Sequence, residues 1–178
     1  MKRPHIAFFS QTGKEIVDIA NCLGRWPDLI VTNQRPPGLR KIDNNLKESN
    51  RLVTVPNKPS LEDLNQVIEY FKNPIITLHG WLRIMPPEIC EKFTIINGHP
   101  GLITVYPELK GKDPQIKAFK AKHEVMGCVL HKVTAGVDEG KVIAEERFNA
   151  FQITEEQMWE VTRDRSLYLW TQFLTKLL

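Results

Sequence analysis

Short apolar β-rich runs alternate with helix-patterned segments over the first hundred residues, which leaves few folds open to the chain. Runs at His5–Phe9, Leu29–Thr32, 52–55, Ile75–Leu78 and 93–96 read as strands. Between them, residues 13–23 place Ile16, Val17, Ile19, Ala20 and Leu23 at helical spacing. Leu61, Leu64, Val67, Ile68 and Phe71 form a second stripe, opened by Ser60-Leu61-Glu62-Asp63 as cap and acidic first turn and closed by Pro74. A short helix is expected over 86–91, and 34–50, rich in Pro, Asn and Lys, reads as an irregular loop or a poor helix. Strands joined by helices run parallel, because a tight hairpin serves only antiparallel neighbours. The expectation is an α/β, Rossmann-like domain with a mostly parallel sheet flanked by helices.

The last third changes character. Runs at 127–133 and 141–148 form a hairpin-like pair around Thr134-Ala135-Gly136-Val137-Asp138-Glu139-Gly140. Thr154-Glu155-Glu156-Gln157 is a capping box that opens a terminal helix carrying Met158, Trp159, Val161, Leu167, Leu169, Trp170, Phe173 and Leu174. A length of 178 residues suits one domain over 1–178. With 42% hydrophobic and 25% charged residues, the chain has enough apolar side chain to offset its conformational entropy, which excludes disorder for most of it. No apolar run approaches the ~18–20 residues of a membrane helix. Ile6-Ala7-Phe8-Phe9, after a basic start, is too short for a signal-peptide core. Cys22, Cys90 and Cys128 are widely separated and offer neither a disulfide framework nor metal-ligand spacing. A soluble, cytoplasmic protein without a metal is expected. The net charge of +3 argues for neither nucleic-acid nor membrane partners and suits a small anionic ligand. The densest basic stretch holds Lys110, Lys112, Lys117, Lys120 and Lys122, and its plain reading is a solvated helix face.

Ligands of parallel sheets collect at the carboxyl ends of strands. That singles out residues 10–13, 79–85 and 97–102. The densest polar group is Asn97-Gly98-His99-Pro100-Gly101-Leu102. In an extended segment Asn97 and His99 project to one side, and Pro100 keeps His99 out of helix. An Asn amide can donate to a carbonyl oxygen, and a His can move a proton near neutral pH. A turn whose Asn and His bond to backbone is the competing reading. Asp138, between glycines, is a plain loop residue unless it faces His99. In that case the three could hold a carbonyl oxygen, protonate it and tune the imidazole.

Asn97-x-His99-Pro100-Gly101-Leu102, with Asp138 forty-one residues after Asn97 inside Gly127–Ile143, resembles the folate-dependent formyltransferases. Gly80-Trp81-Leu82-Arg83-Ile84-Met85-Pro86 is similar to a third stretch of that family. The resemblance implies the formyltransferase version of the Rossmann-like fold and a catalytic trio of Asn97, His99 and Asp138. It implies 10-formyltetrahydrofolate as co-substrate, its pterin lying between the strand end Leu82, Arg83, Ile84, Met85 and the loop Ala135, Gly136, Val137, Glu139, Gly140. An amine would attack the formyl carbon, Asn97 and His99 would hold the oxyanion, and Asp138 would keep His99 protonated. The partners implied are a reduced folate and a small-molecule amine acceptor, phosphorylated or nucleotide-linked. Acceptor contacts would come from Ser10, Gln11, Thr12 and Gly13, from Lys110 and Lys112, and from Asp164. A hydrolase that passes the formyl group to water, and a catalytically silent folate- or nucleotide-binding protein, are the alternatives.

Overall fold

The computed structural model describes residues 3–178. Seven strands form one sheet: β1 His5–Phe9, β2 Leu29–Thr32, β3 Leu52–Thr54, β4 Ile75–Leu78, β5 Thr94–His99, β6 Val125–Lys132 and β7 Val142–Asn149. Their spatial order is β3-β2-β1-β4-β5-β6-β7. The first five are parallel, and β6 and β7 are antiparallel additions. This is the expected α/β architecture. The central strands are mostly apolar because both faces are covered, and all five residues of β1 are buried.

Among the described residues six α-helices pack on the sheet: α1 Lys14–Leu23, α2 Asn44–Glu48, α3 Leu61–Ile68, α4 Pro87–Lys92, α5 Pro114–Lys120 and α6 Glu155–Leu177. Alternate residues of β1 enter opposite cores. Ile6 and Phe8 join Leu64, Ile68, Ile76 and Ile89 on one face. Ala7 and Phe9 join Ile16, Val17 and Leu46 on the other. The terminal helix buries Leu169, Trp170 and Leu174 against Ile96, Cys128 and Leu130. Its capping box forms as expected, with Thr154 accepting from the Gln157 amide.

Several boundaries differ from the expectation. Residues 34–50 hold a 3-10 turn, Gly38–Lys41, and α2, capped by the Asp43 side chain. The buried Leu46 anchors this segment beside Gly13, which explains why a weakly helical sequence still folds. The basic stretch is divided: Lys117 and Lys120 lie on α5, whereas Lys110 and Lys112 precede it. β5 does not end at Ile96 but continues through His99, because β6 pairs with it up to the His99–Val129 position. Among the described residues, no helix is long and apolar enough to cross a membrane.

Candidate active site

Asn97 and His99 sit two apart on β5, so both leave the same face of the sheet. Gly98 between them faces the other way, where a Cβ would stand 2.8 Å from Nε1 of the buried Trp170. The antiparallel register sets His131 of β6 opposite Asn97, and directly opposed residues share a face. Asp138 arrives from the β6–β7 connection with a left-handed backbone, φ 52°.

These four side chains form one network. His99 Nδ1 lies 3.3 Å from Asp138 Oδ2, and His131 Nε2 lies 3.2 Å from Asp138 Oδ1. Asn97 Nδ2 is 3.1 Å from His131 Nε2. His99 Nε2–H donates to the Leu109 carbonyl at 2.9 Å, and the Gly111 amide donates to Asp138 Oδ2 at 2.9 Å. His131 Nδ1–H donates to the Lys132 carbonyl at 3.0 Å. His131 is the member that motif reading left out of the trio. The signal for it was the strand register, which places it across from Asn97.

The electrostatics follow from these contacts. Burial alone would raise the Asp138 carboxyl. Hydrogen bonds from His131 and the Gly111 amide, with His99 alongside, instead pull it down to about 2. Burial pushes the His99 imidazole below its usual value, although Asp138 and the Leu109 carbonyl act in the opposite direction. At His99 the carboxylate of Asp138 thus works against the loss of hydration, which is the larger influence. His131 Nε2 meets partners of opposite kind. It can accept from the Asn97 amide or donate to Asp138, so a proton on Nε2 releases an Asn97 N–H for another acceptor.

The flanking residues are placed as follows. Leu82, Arg83, Ile84 and Met85 do not end a strand: β4 stops at Leu78, and they lie in the loop beyond it. Leu82 and Ile84 are exposed apolar side chains there, Met85 is buried, and the Arg83 guanidinium is engaged with Asn57. In the opposite loop Ala135, Val137 and Glu139 are exposed, the Glu139 side chain lies over Gly136, and Gly140 is buried against the Lys132 carbonyl. The Ser10 hydroxyl accepts from the Leu82 amide at 2.9 Å, and the Ser10 carbonyl accepts from Gln34. Thr12 Oγ1 accepts from the Lys14 amide, Gln11 is exposed, and Gly13 holds φ 72° beneath Leu46. Accepting these amides leaves the O–H of each hydroxyl available as a donor. Lys110 and Lys112 are exposed on either side of Gly111, and Asp164 is exposed on α6 beside Arg163. Only the first two adjoin the network. Among the described residues no group of three His, Cys, Asp or Glu is arranged to hold a metal ion.

The family model described as Formyl transferase matches residues 28–168. The chain belongs to the formyl transferase family. A phosphoribosylglycinamide formyltransferase of Bacillus subtilis is 32% identical over 93 residues, covering 51% of this chain and 45% of that protein. A trifunctional purine biosynthetic protein of Bos taurus is 32% identical over 85 residues, covering 47% of this chain and 8% of that protein. The matches thus span under half the length of these relatives. The crystal structure of a phosphoribosylglycinamide formyltransferase from Anaplasma phagocytophilum superposes with a TM-score of 0.84 at 21% identity, covering 98% of this chain and 86% of that one. That likeness shows the formyl transferase fold.

Proposed function

We propose that this chain transfers a formyl group from 10-formyltetrahydrofolate to the primary amine of a small acceptor that is phosphorylated or nucleotide-linked. The observation that carries the reading is the Asn97–His131–Asp138–His99 network at the carboxyl end of β5. Its groups match the needs of acyl transfer. An Asn97 N–H can donate to the oxygen that becomes an oxyanion when the amine attacks the formyl carbon, and such a donor is worth about 10²–10³ in rate. His99 beside a carboxylate can pass a proton between the attacking nitrogen and the leaving folate nitrogen. Asp138, ionised across the working range, orients both imidazoles. Membership of the formyl transferase family and the phosphoribosylglycinamide formyltransferase relatives support formyl as the group moved.

The reduced folate is assigned to exposed Leu82 and Ile84 and to the Ala135, Gly136, Val137, Glu139, Gly140 loop, where Val137 is 55% exposed. The chemistry that 10-formyltetrahydrofolate supplies is an activated formyl group. Adding a reduced-folate analogue is expected to slow amide hydrogen exchange in 135–140. Protection confined to 34–50 would place the folate elsewhere.

The acceptor's anion is assigned to Lys110 and Lys112 together with Ser10, Gln11, Thr12 and Gly13, since the Ser10 and Thr12 hydroxyls still have an O–H to donate after accepting their amides. Asp164, on an exposed face of α6, is the weaker contact of the set. Replacing both lysines with alanine should raise the acceptor's KM about tenfold and leave the folate KM within twofold, since a partly exposed charged contact is worth roughly 1 kcal/mol or somewhat more. Unchanged constants would remove these lysines from the site. The function itself is tested by incubating the protein with 10-formyltetrahydrofolate and a panel of amines that includes glycinamide ribonucleotide and amino-sugar nucleotides. Formylated product supports transfer. Release of formate without any acceptor points to the hydrolase instead.

A further inference from the structure

A second chain of hydrogen-bonded titratable groups lies outside the active-site network, on side chains that the proposed chemistry does not use. Ser166 Oγ of α6 donates to Glu15 Oε1 of α1 at 2.6 Å. Glu15 Oε2 faces His79 Nδ1 at 2.8 Å. His79 Nε2 and His5 Nε2 both lie 2.8 Å from the same Thr77 hydroxyl. His5, Thr77 and His79 are buried, and Glu15 is partly exposed, which leaves solvent one way in. The His79 ring packs on Trp170 with centroids 4.5 Å apart. Trp170 is one helical turn from Ser166, so Glu15 and His79 together dock that face of α6. The same indole is the surface on which Gly98 rests, with no room for a Cβ.

We infer that His79 is a positioning residue for Asn97 and His99, acting through Trp170 and Gly98, and that its proton state is locked to the tautomer of His5. The lock follows from counting protons. The Thr77 hydroxyl has one hydrogen and, among the described residues, no hydrogen-bonding partner besides the two imidazoles. If both rings donated, that hydrogen would be buried without an acceptor, and if both accepted, one would go unsatisfied, either at about 1–3 kcal/mol. One ring therefore donates and the other accepts. His79 Nδ1 faces a carboxylate and must carry a proton. A neutral His79 then accepts at Nε2, and His5 must hold its proton on Nε2. A doubly protonated His79 donates at Nε2, and His5 must hold its proton on Nδ1.

The surroundings agree. Burial pushes His5 down to about 3, with His79 and Arg25 adding to it, so His5 stays neutral and can only change tautomer. Burial would raise Glu15, yet the contacts from His79 and Ser166 draw it below the usual carboxylate value. The other groups facing this chain are Cys128 on β6, raised to about 12 by burial, and beyond it Glu146 and Arg165.

Five histidines make the test direct. In the full chain labelled with 15N-histidine, the ring nitrogens are followed between about pH 5 and 9. At every pH, doubly protonated His79 should coincide with Nδ1–H His5, and singly protonated His79 with Nε2–H His5. Any other pairing, or separate inflections, overturns the lock, and this reading needs no variant. The positioning role rests on the proposed function and is tested with Glu15→Gln, which keeps the side chain's size. Turnover of 10-formyltetrahydrofolate should fall about tenfold with its KM within twofold, since small misplacements of reacting groups are costly. The 15N signals of His99 and His131 should move with it. Unchanged turnover and unmoved signals overturn the role. If the wild-type protein forms no formylated product, the proposed function fails while the ring signals still decide the positioning.

Discussion

Asp138→Asn should lower the turnover of formyl transfer by ~100-fold or more while the protein stays folded. Asparagine keeps the shape and tolerates the left-handed backbone at this position, φ 52°, so the change isolates the charge. It removes the acceptor that both His99 and His131 face. It also leaves the Gly111 amide with a neutral partner, so the 109–111 segment should loosen. His99→Ala should cost a similar factor by deleting the proton carrier. Steady-state kinetics with 10-formyltetrahydrofolate check both, and turnover within threefold of wild type in either variant would defeat the mechanism. The same carboxylate predicts a pH effect on stability. Its folded value, about 2, lies below the ordinary 3.8, so its stabilisation is fully present above the ordinary value and is lost as pH falls through about 2. Acid unfolding should therefore weaken wild type more steeply than Asp138→Asn between about pH 5 and 2.

Gly140→Ala is expected to be the most damaging small substitution in the loop. A Cβ there would fall 1.6 Å from the Lys132 carbonyl oxygen, which is backbone and cannot rotate away. The strand end carrying Lys132 and the loop carrying Asp138 must then separate. Forced overpacking costs about 1–3 kcal/mol, occasionally more, and in a chain of this size that lowers Tm by roughly 3–10 °C. Because the displaced segment holds Asp138 against two histidines, activity should fall by at least ~100-fold even where the protein remains folded. Thermal unfolding and turnover measured on the same preparation test the two parts. Gly136→Ala is the comparison: there the obstacle is the flexible Glu139 side chain, and the effect should be smaller.

Local pattern carried much of this protein. The strands His5–Phe9, Leu29–Thr32 and Ile75–Leu78 fall where their apolar runs fall, because a short buried strand between helices has few other ways to cover its side chains. The capping boxes at Ser60 and Thr154 mark helix starts, since a cap depends only on residues within one turn. The trio of Asn97, His99 and Asp138 was legible only through the family resemblance, because α5 and β6 intervene between His99 and Asp138 and local pattern alone leaves Asp138 a plain loop residue.

Tertiary structure decided the rest. His131 enters the network because antiparallel pairing sets it across from Asn97, and register is a property of two strands rather than of one. The downward shift at His99 required knowing how much water the fold removes from it, which no spacing encodes. Which backbone amides the Ser10 and Thr12 oxygens accept from became visible only with the chain path in place. His79 and Glu15 are sixty-four residues apart, and only the packing of α1 and α6 over β4 makes them partners. Periodicity reports which residues are buried together on one element. Which buried polar atoms find each other across elements is settled by the cost of leaving any of them unpaired, and that cost is assessed only once the whole chain is in place.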